Sequence, residues 1–138
     1  MRGRLVGCLI GLLLLPGCAV LAVGAVAGAA AGVTYTVLGT AEKTFNEDRE
    51  TVVAAVQKAL ERLDIKTGQT RHVDEGGRIV RTEIEAYARD LTIRIGVERV
   101  SDRATRVSVD ASRKYLLKDK GTATEILVQT TNLLPPRS

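Results

Sequence analysis

The stretch that decides the fold is residues 80–112, which read VRTEIEAYARDLTIRIGVERVSDRATRVSVDAS. It holds three segments in which apolar and polar residues alternate, and each segment ends at a short polar turn. Alternation with a period of two places the two sets of side chains on opposite faces of a β-sheet. One face of this sheet is apolar and faces the core, and the other is polar and faces solvent; we call the second the wet face. Together with the short turns, this pattern predicts an antiparallel meander. The predicted inward-facing residues are Val80, Thr82, Ile84 and Ala86, then Leu91, Ile93, Ile95 and Val97, then Val107, Val109 and Ala111.

A first amphipathic helix is predicted upstream of these segments. Asn46 or Asp48 is its expected cap, because short polar side chains accept hydrogen bonds from the free N–H groups of a first turn. Acidic residues at its start and basic residues at its end complement the helix dipole. One apolar stripe, spaced by three and four, is formed by Val52, Val56, Ala59, Leu60 and Leu63.

A second helix is predicted to begin at Thr122, which with Glu125 has the Thr-x-x-Glu form of a capping box, and to end before Pro135 and Pro136. Residues 34–45 predict a weakly marked first strand, and residues 65–73 an edge strand. We therefore expect an α+β fold: an antiparallel three- to four-stranded meander with two amphipathic helices on one face. A signal peptide and an apolar segment rich in Gly and Ala are expected to precede it.

The first 17 residues have the three parts of a secretory signal peptide: a basic start at Arg2 and Arg4, an apolar run, and a small residue before the cut. The stretch Leu15-Pro16-Gly17-Cys18 resembles the lipobox of bacterial lipoproteins. That resemblance implies that Cys18 carries a diacylglycerol, that the leader is cleaved before it, and that the new amino terminus is acylated, for example with palmitate.

Two further residues bear on this anchor. A similar string ends at Cys8, but no apolar run lies upstream of it, so Cys18 is the predicted lipidation site. Ala19 is not the Asp that retention in the inner membrane implies, so the resemblance favours a lipid anchor in the outer membrane, with the domain facing the periplasm.

After the cysteine, residues 19–38 stay apolar and contain Gly24, Gly28 and Gly32 at intervals of four. In a helix these glycines lie on one face and let another helix approach closely, which predicts helix packing and a possible homo-oligomer. The alternative is a small-residue tether without fixed structure, because Gly and Val are poor helix formers in water. The sequence leaves both open. The expected organisation is a signal peptide (1–17), a lipidated apolar segment (18–38) and a soluble domain (39–138).

Charge and cysteine usage restrict the function of the soluble domain. The chain has a net charge of +4, and removing Arg2 and Arg4 with the leader leaves +2, which gives no argument for a nucleic-acid partner. Both cysteines precede residue 19, so the domain has neither a disulfide framework nor a thiolate metal site. We expect no metal and no other cofactor.

The whole pattern resembles a family of small bacterial lipoproteins known only as a domain of unknown function. The residues that carry the resemblance are Cys18, the Gly and Ala run to Gly32, the helix from Val52 to Leu63, and Asp119-Lys120-Gly121 before a helix with Ile126. This family has no assigned activity, so the resemblance implies none.

Residues able to support catalysis are few. His72 is the only histidine, and a solvated side chain is the expected reading. Glu83 and Glu85 share a sheet face and have the form of an acid–base pair, but cross-strand pairing with arginines is the more ordinary interpretation; the predicted partners are Arg81, Arg94 and Arg106.

Two charged stretches remain. Asp74-Glu75-Gly76-Gly77 has the form of a hairpin turn and lacks the spacing of a calcium loop. The basic cluster Arg113, Lys114, Lys118 and Lys120 is either a solvated loop or a contact for anionic headgroups or peptidoglycan carboxylates. The sequence thus predicts a non-enzymatic, membrane-anchored envelope component with a protein partner; the alternative is a small module that binds lipid, glycan or peptide.

Overall fold

The computed structural model describes residues 32–114 and 116–136 of the chain. These residues form nine helices and strands, in the order β1 (Thr34–Tyr35), β2 (Ala41–Phe45), α1 (Arg49–Arg62), β3 (Lys66–Glu75), β4 (Arg78–Ala88), β5 (Leu91–Ser101), β6 (Ala104–Arg113), β7 (Leu117–Lys118) and α2 (Lys120–Leu133). All strand pairs are antiparallel and belong to one sheet, in the order β1-β2-β6-β5-β4-β3. The short β7 pairs with β6.

The α+β prediction is confirmed, and the predicted meander is β3 to β6. Residues 76–77, 89–90 and 102–103 form its tight turns. The sheet is larger than the three or four strands that we expected. The predicted strand over residues 34–45 is two strands, separated by a turn at Thr36–Gly39, where Gly39 has a φ of +81°. The second of them, β2, pairs along β6, with Ala41 opposite Val109 and Phe45 opposite Thr105.

The hydrophobic core lies between the two helices and the inner face of the sheet. Most of the stripe predicted for α1 is buried there: Val52, Val56, Ala59 and Leu60 have no exposed surface, whereas Leu63 follows the helix as its C-cap and is half-buried. On the strands, every predicted inward-facing residue is buried except Val80, which is half-buried. Burying each large aliphatic side chain stabilises the fold by about 1.5–3 kcal/mol relative to leaving it in water.

Helix α1 begins after Asp48, one of the two caps, Asn46 or Asp48, that the sequence predicted. Asp48 is the cap, and its Oδ1 accepts a hydrogen bond from the backbone N–H of Thr51 over 2.9 Å. That hydrogen bond lowers the pKa of the Asp48 carboxyl below its usual value of 3.8.

The predicted start of the second helix was wrong. Asp119 is the cap of α2, and its Oδ1 accepts from the Thr122 backbone N–H over 2.8 Å. Thr122 therefore lies inside the first turn and does not form the capping box that we predicted with Glu125. The end was predicted correctly: Leu134 is extended, with a ψ of 152°, as the residue before a proline prefers.

The predicted edge strand is β3, which lies at the outer side of the described sheet. All of its residues except Val73 are exposed. Its register with β4 shifts between Thr67 and Thr70 and again between Val73 and Asp74. Irregular pairing and charged side chains of this kind protect an edge from pairing with another chain.

Candidate functional site

A groove of about 750 Å³ lies at the end of the sheet where α1 finishes and α2 starts. We call it the end groove. Its volume is within the range of pockets that hold small molecules. Leu63, Ile65, Ala88 and Leu91 supply apolar lining. Polar and amphipathic residues complete it: Asp64, Lys66, Tyr87, Arg89, Asp90, Arg113, Thr122 and Glu125.

Arg113 is the central charge of the end groove. Its Nε lies 3.4 Å from Asp90 Oδ2 in the β4–β5 turn, and its Nη2 lies 3.4 Å from Asp119 Oδ2 at the cap of α2. The guanidinium therefore links a turn, a strand and a helix start. Because two carboxylates already neutralise it, Arg113 is poorly suited to binding a free anion. The mixed lining favours an amphipathic ligand.

Beside the end groove, two loops present aliphatic side chains to solvent. Val37 and Leu38 lie between β1 and β2 and are 88% and 78% exposed, while Leu116 and Leu117 follow β6 and are 85% and 68% exposed. We call these four residues the apolar tip. The loops are adjacent, because a Cβ built on Gly39 would lie 3.3 Å from Lys118 Cγ.

The chain also has a match among known protein families. Residues 4–113 match the family described as Protein of unknown function (DUF3568). The chain belongs to this family. The matched part of this DUF3568 protein runs through β1 to β6 and includes α1, but stops before β7 and α2. No curated protein matches the chain at a significant level.

The sequence-predicted anchor of this DUF3568 protein lies outside the described residues, as do Gly24 and Gly28. Gly32 is described, and its φ of +68° is the conformation of a turn or of a residue that ends a helix, not of one inside it. A Cβ on Gly32 would lie 4.0 Å from Lys43 Cε at the side of β2. The helix-packing prediction for Gly32 thus finds no support in its own conformation.

His72 lies exposed on β3, opposite Thr82 of β4. Its Nδ1 is 3.1 Å from Thr82 Oγ1, which also accepts a hydrogen bond from buried Arg49 over 2.5 Å. The Arg49–Thr82 contact was not predicted from the sequence, since neither residue belongs to a recognisable motif. The arrangement joins helix α1 to the sheet.

Glu83 and Glu85 lie on the wet face of the sheet, as predicted. Glu83 Oε1 is 3.2 Å from Arg81 Nε, and Arg81 also lies 3.9 Å from Glu98. Glu85 accepts a hydrogen bond from the Tyr87 hydroxyl over 3.1 Å. The Arg81–Glu83 pair lies within β4, so it is not the cross-strand pairing that we expected; across the strands, Glu83 lies 3.9 Å from Arg71 of β3, which the sequence analysis did not name. The other two predicted partners, Arg94 and Arg106, lie opposite Glu85 and Glu98 in the strand register.

The remaining charged stretches have structural contacts. Asp74 Oδ1 accepts from the Gly77 backbone N–H over 3.0 Å, which confirms the hairpin reading. In the basic cluster, Lys118 Nζ is 2.5 Å from Asp110 Oδ2, and Lys120 Nζ lies 5.3 Å from the centre of the Tyr35 ring. Lys118 and Lys120 therefore lie beside the apolar tip, since a Cβ on Gly39 would be 3.3 Å from Lys118 Cγ and 3.7 Å from Lys120 Cε. The sequence did not reveal that Val37 and Leu38 belong there, because strand pairing alone brings their loop to β7.

Among residues 32–114 and 116–136, no group of three or more His, Cys, Asp or Glu side chains is placed to hold a metal ion. In the same part of the chain, no helix is long and apolar enough to cross a membrane.

Proposed function

We propose that this protein is a bacterial lipoprotein, cleaved before Cys18 and anchored to the outer membrane by lipid on that residue. The observation that carries the proposal is Leu15-Pro16-Gly17-Cys18 at the end of a basic and apolar leader. Each buried methylene of an acyl chain contributes about 0.8 kcal/mol, so two or more chains hold a protein firmly. The family match begins at residue 4 and therefore includes the cysteine.

The connection between anchor and domain is short. The sheet begins at Thr34, and Gly32 is the first described residue. A chain spans at most roughly 3.3–3.6 Å per residue, so residues 18–32 reach no further than about 50 Å. The domain would therefore act close to the bilayer surface, on the periplasmic side.

The role proposed for the domain is to bind an envelope protein without catalysing a reaction. Support comes from its former catalytic candidates, because His72 contacts Thr82 and Glu83 contacts Arg81 in ordinary structural pairs. The wet face of the sheet offers a broad surface for a partner. Exposed Arg94 lies near the middle of that surface, on β5.

The anchor is tested by growing cells with an alkyne-tagged fatty acid. We expect label on the wild type and on Cys8→Ser, which is the matched control, and none on Cys18→Ser. Label on Cys18→Ser, or none on the wild type, would contradict the proposed anchor.

The partner is tested by placing a photo-crosslinking amino acid at Arg94 in intact cells. A control position is Glu61, which is exposed on the helical side of the domain. We expect a discrete adduct with an envelope protein from position 94 and none from position 61. Equal adducts from both positions, or none from position 94, would count against a partner on the wet face.

A second candidate function, a tethered module that binds lipid, glycan or peptide, is favoured by the volume and mixed lining of the end groove. Ala88 lines it and is half-buried, so Ala88→Trp should fill the groove. Mass spectrometry of the purified protein is expected to find a bound small molecule that Ala88→Trp lacks and Val100→Trp keeps. A protein that carries no ligand, or carries it equally in both variants, would contradict this function.

Self-association through the apolar segment is a separate part of the proposal. It rests on the spacing of Gly24 and Gly28 in a stretch of Ala and Val. Replacing Gly28 with Leu should abolish cross-linked oligomers in membranes. Oligomers that persist unchanged would show that these glycines do not pack helices.

A further inference from the structure

We propose that the apolar tip is a second membrane contact, which inserts into the headgroup region of an anionic bilayer. The inference goes beyond the proposed lipid anchor and uses different residues. It rests on the exposure of Val37, Leu38, Leu116 and Leu117, on the charges around them, and on where the chain enters the domain.

The two loops hold their aliphatic side chains outward by backbone hydrogen bonds. In the first loop, the Gly39 N–H donates to the Thr36 carbonyl and the Thr36 N–H donates to the Thr40 carbonyl, each over 2.9 Å. In the second, the Leu116 N–H donates to the Arg113 carbonyl over 3.1 Å. The four side chains are therefore exposed beside a hydrogen-bonded backbone. Adjacent large aliphatic residues exposed in this way mark an interaction surface.

Lysines lie directly beside the two loops of the apolar tip, as the contacts of Lys118 and Lys120 with the position of Gly39 show. Asp110 and Asp119, the nearest acids on β6 and at the start of α2, are paired with Lys118 and Arg113. Asp90 also lies against Arg113. Further from the loops, the end groove adds Asp64 and Glu125 on the acidic side and Lys66 and Arg89 on the basic side, so these four charges balance. The positive excess is therefore local and comes from Lys114 and Lys120, beside the two loops. Exposed lysines beside aliphatic residues are the combination that attracts a protein to anionic lipid.

The shape of the tip favours a bilayer over a second protein. Val37 lies in the turn after β1 and Leu117 directly follows the turn residue Leu116, so both side chains stand at the end of the sheet. Lysine side chains are long enough to reach headgroups while aliphatic side chains enter below them. Interfacial segments insert about 5–10 Å, which is the scale of such turns. A protein partner would need a cleft of matching form, whereas a fluid bilayer needs none.

The chain geometry allows the tip and the anchor to use the same membrane. Because β1 is antiparallel to β2, the chain from Gly32 runs towards the tip and reaches Val37 within about 18 Å. Residues 18–32 span up to about 50 Å, more than twice that length. The connection is therefore long enough for the domain to lie with its tip on the bilayer that holds Cys18.

A fluorescence experiment tests the inference directly, since the chain contains no Trp. A single Trp is introduced as Leu38→Trp, as Leu117→Trp, or as Val100→Trp, the matched control. Val100 is 51% exposed and lies at the other end of the sheet, beside the 102–103 turn. Each full-length protein is reconstituted into vesicles of phosphatidylcholine with and without phosphatidylglycerol, using brominated acyl chains as the quencher.

We expect quenching at positions 38 and 117 to be several-fold stronger than at position 100. It should increase with phosphatidylglycerol and fall in high salt, because salt screens the attraction of lysines to headgroups. Lys114→Asn should lower the apparent affinity for anionic vesicles about fivefold. Asparagine suits this position, because Lys114 has a φ of +47° that Asn tolerates.

Equal quenching at all three positions, or stronger quenching at position 100, would overturn the inference. The inference would also be overturned if Leu38→Ser abolished a cross-linked dimer and left the quenching unchanged. In that case the apolar tip binds a second copy of the chain and not the bilayer. Repeating the series in Cys18→Ser separates the two proposals. If lipidation of Cys18 is wrong, both series behave alike, and quenching at the tip still decides this inference.

Discussion

Arg49, the first residue of α1, donates a hydrogen bond from Nη1 to Oγ1 of Thr82 on β4 over 2.5 Å. Both residues are buried, at 7% and 0% exposure. A second nitrogen, Nη2, lies 2.6 Å from Glu50 Oε1, whereas Nε has no hydrogen-bond partner in the described part of the chain. A buried cation thus depends on one threonine to connect α1 with the outer half of the sheet.

Replacing Thr82 with Val keeps the shape of the side chain and removes the acceptor. The free energy of unfolding should fall by about 1–3 kcal/mol, because the Arg49 guanidinium stays buried with less compensation. Arg49→Met combined with Thr82→Val should recover much of this loss, since an apolar pair leaves no charge unsatisfied. Urea unfolding of a soluble fragment, residues 32–138, measures both.

Thr44→Val is the control for that pair, because Thr44 is an exposed threonine on β2. Its effect should stay within about 0.5 kcal/mol. A double variant that is destabilised by the sum of the two single changes would contradict a specific Arg49–Thr82 coupling.

The cap of α1 should make stability depend on pH. Asp48→Ala should cost about 1 kcal/mol at pH 7. Hydrogen bonding from the Thr51 N–H lowers the pKa of folded Asp48 below 3.8, so the unfolded chain takes up the proton first as the pH falls. The stabilisation is therefore complete above pH 3.8 and is lost as the pH falls through the lower, folded-state pKa. Thermal unfolding at several pH values measures the difference between wild type and variant.

Asp48→Asn is the matched control, because Asn caps a helix without a charge. Its stability relative to Asp48→Ala should not change between pH 7 and pH 3. If the advantage of the wild type over Asp48→Ala grows as the pH falls, the assigned direction of the pKa shift is wrong.

The corrected start of α2 predicts that Asp119 and Thr122 contribute differently to the stability of the domain. Asp119→Ala should destabilise the domain by about 1 kcal/mol or more, because Asp119 caps the helix and also pairs with Arg113. Thr122→Ala should change stability by less than about 0.5 kcal/mol, because Thr122 contributes only its backbone N–H to the cap. Chemical denaturation measures the loss of stability in each variant. A larger loss in Thr122→Ala than in Asp119→Ala would mean that Thr122 caps the helix in solution, as the sequence predicted.

Substitution of Gly39 tests whether the two loops of the apolar tip touch each other. Gly39 and Gly77 have nearly the same φ, +81° and +79°, but a Cβ on Gly77 meets nothing within 4 Å. Gly77→Ala should therefore cost only the strain of the left-handed conformation, about 1–2 kcal/mol. Gly39→Ala should cost more, because its Cβ also presses on Lys118. Equal losses in thermal stability would mean that the loops do not touch in solution.

The meander was predictable from local pattern. Val107, Val109 and Ala111 alternate with polar residues, and two-residue turns leave adjacent strands no other way to pair. The position of β2 was not predictable in this way. Ala41–Phe45 is short and charged, and its partners on β6 lie 60 to 68 residues further along the chain, from Thr105 opposite Phe45 to Val109 opposite Ala41.

The candidate site was harder to predict for the same reason. Asp119 and Thr122 are both good caps at neighbouring positions, and only the helix geometry decides between them. The basic cluster was visible in the sequence as a charge run. Its association with Val37 and Leu38 depends on strand pairing that brings two distant loops together.

The function proposed for this protein depends most on lipidation of Cys18. Mass spectrometry of the N-terminal peptide, taken from protein purified out of its native membrane, tests this most directly. We predict a peptide that begins at Cys18 and carries a diacylglyceryl group on Sγ and an acyl chain on its amino nitrogen. A peptide that spans Gly17 and Cys18, or one that begins at Cys18 without lipid, would contradict the account.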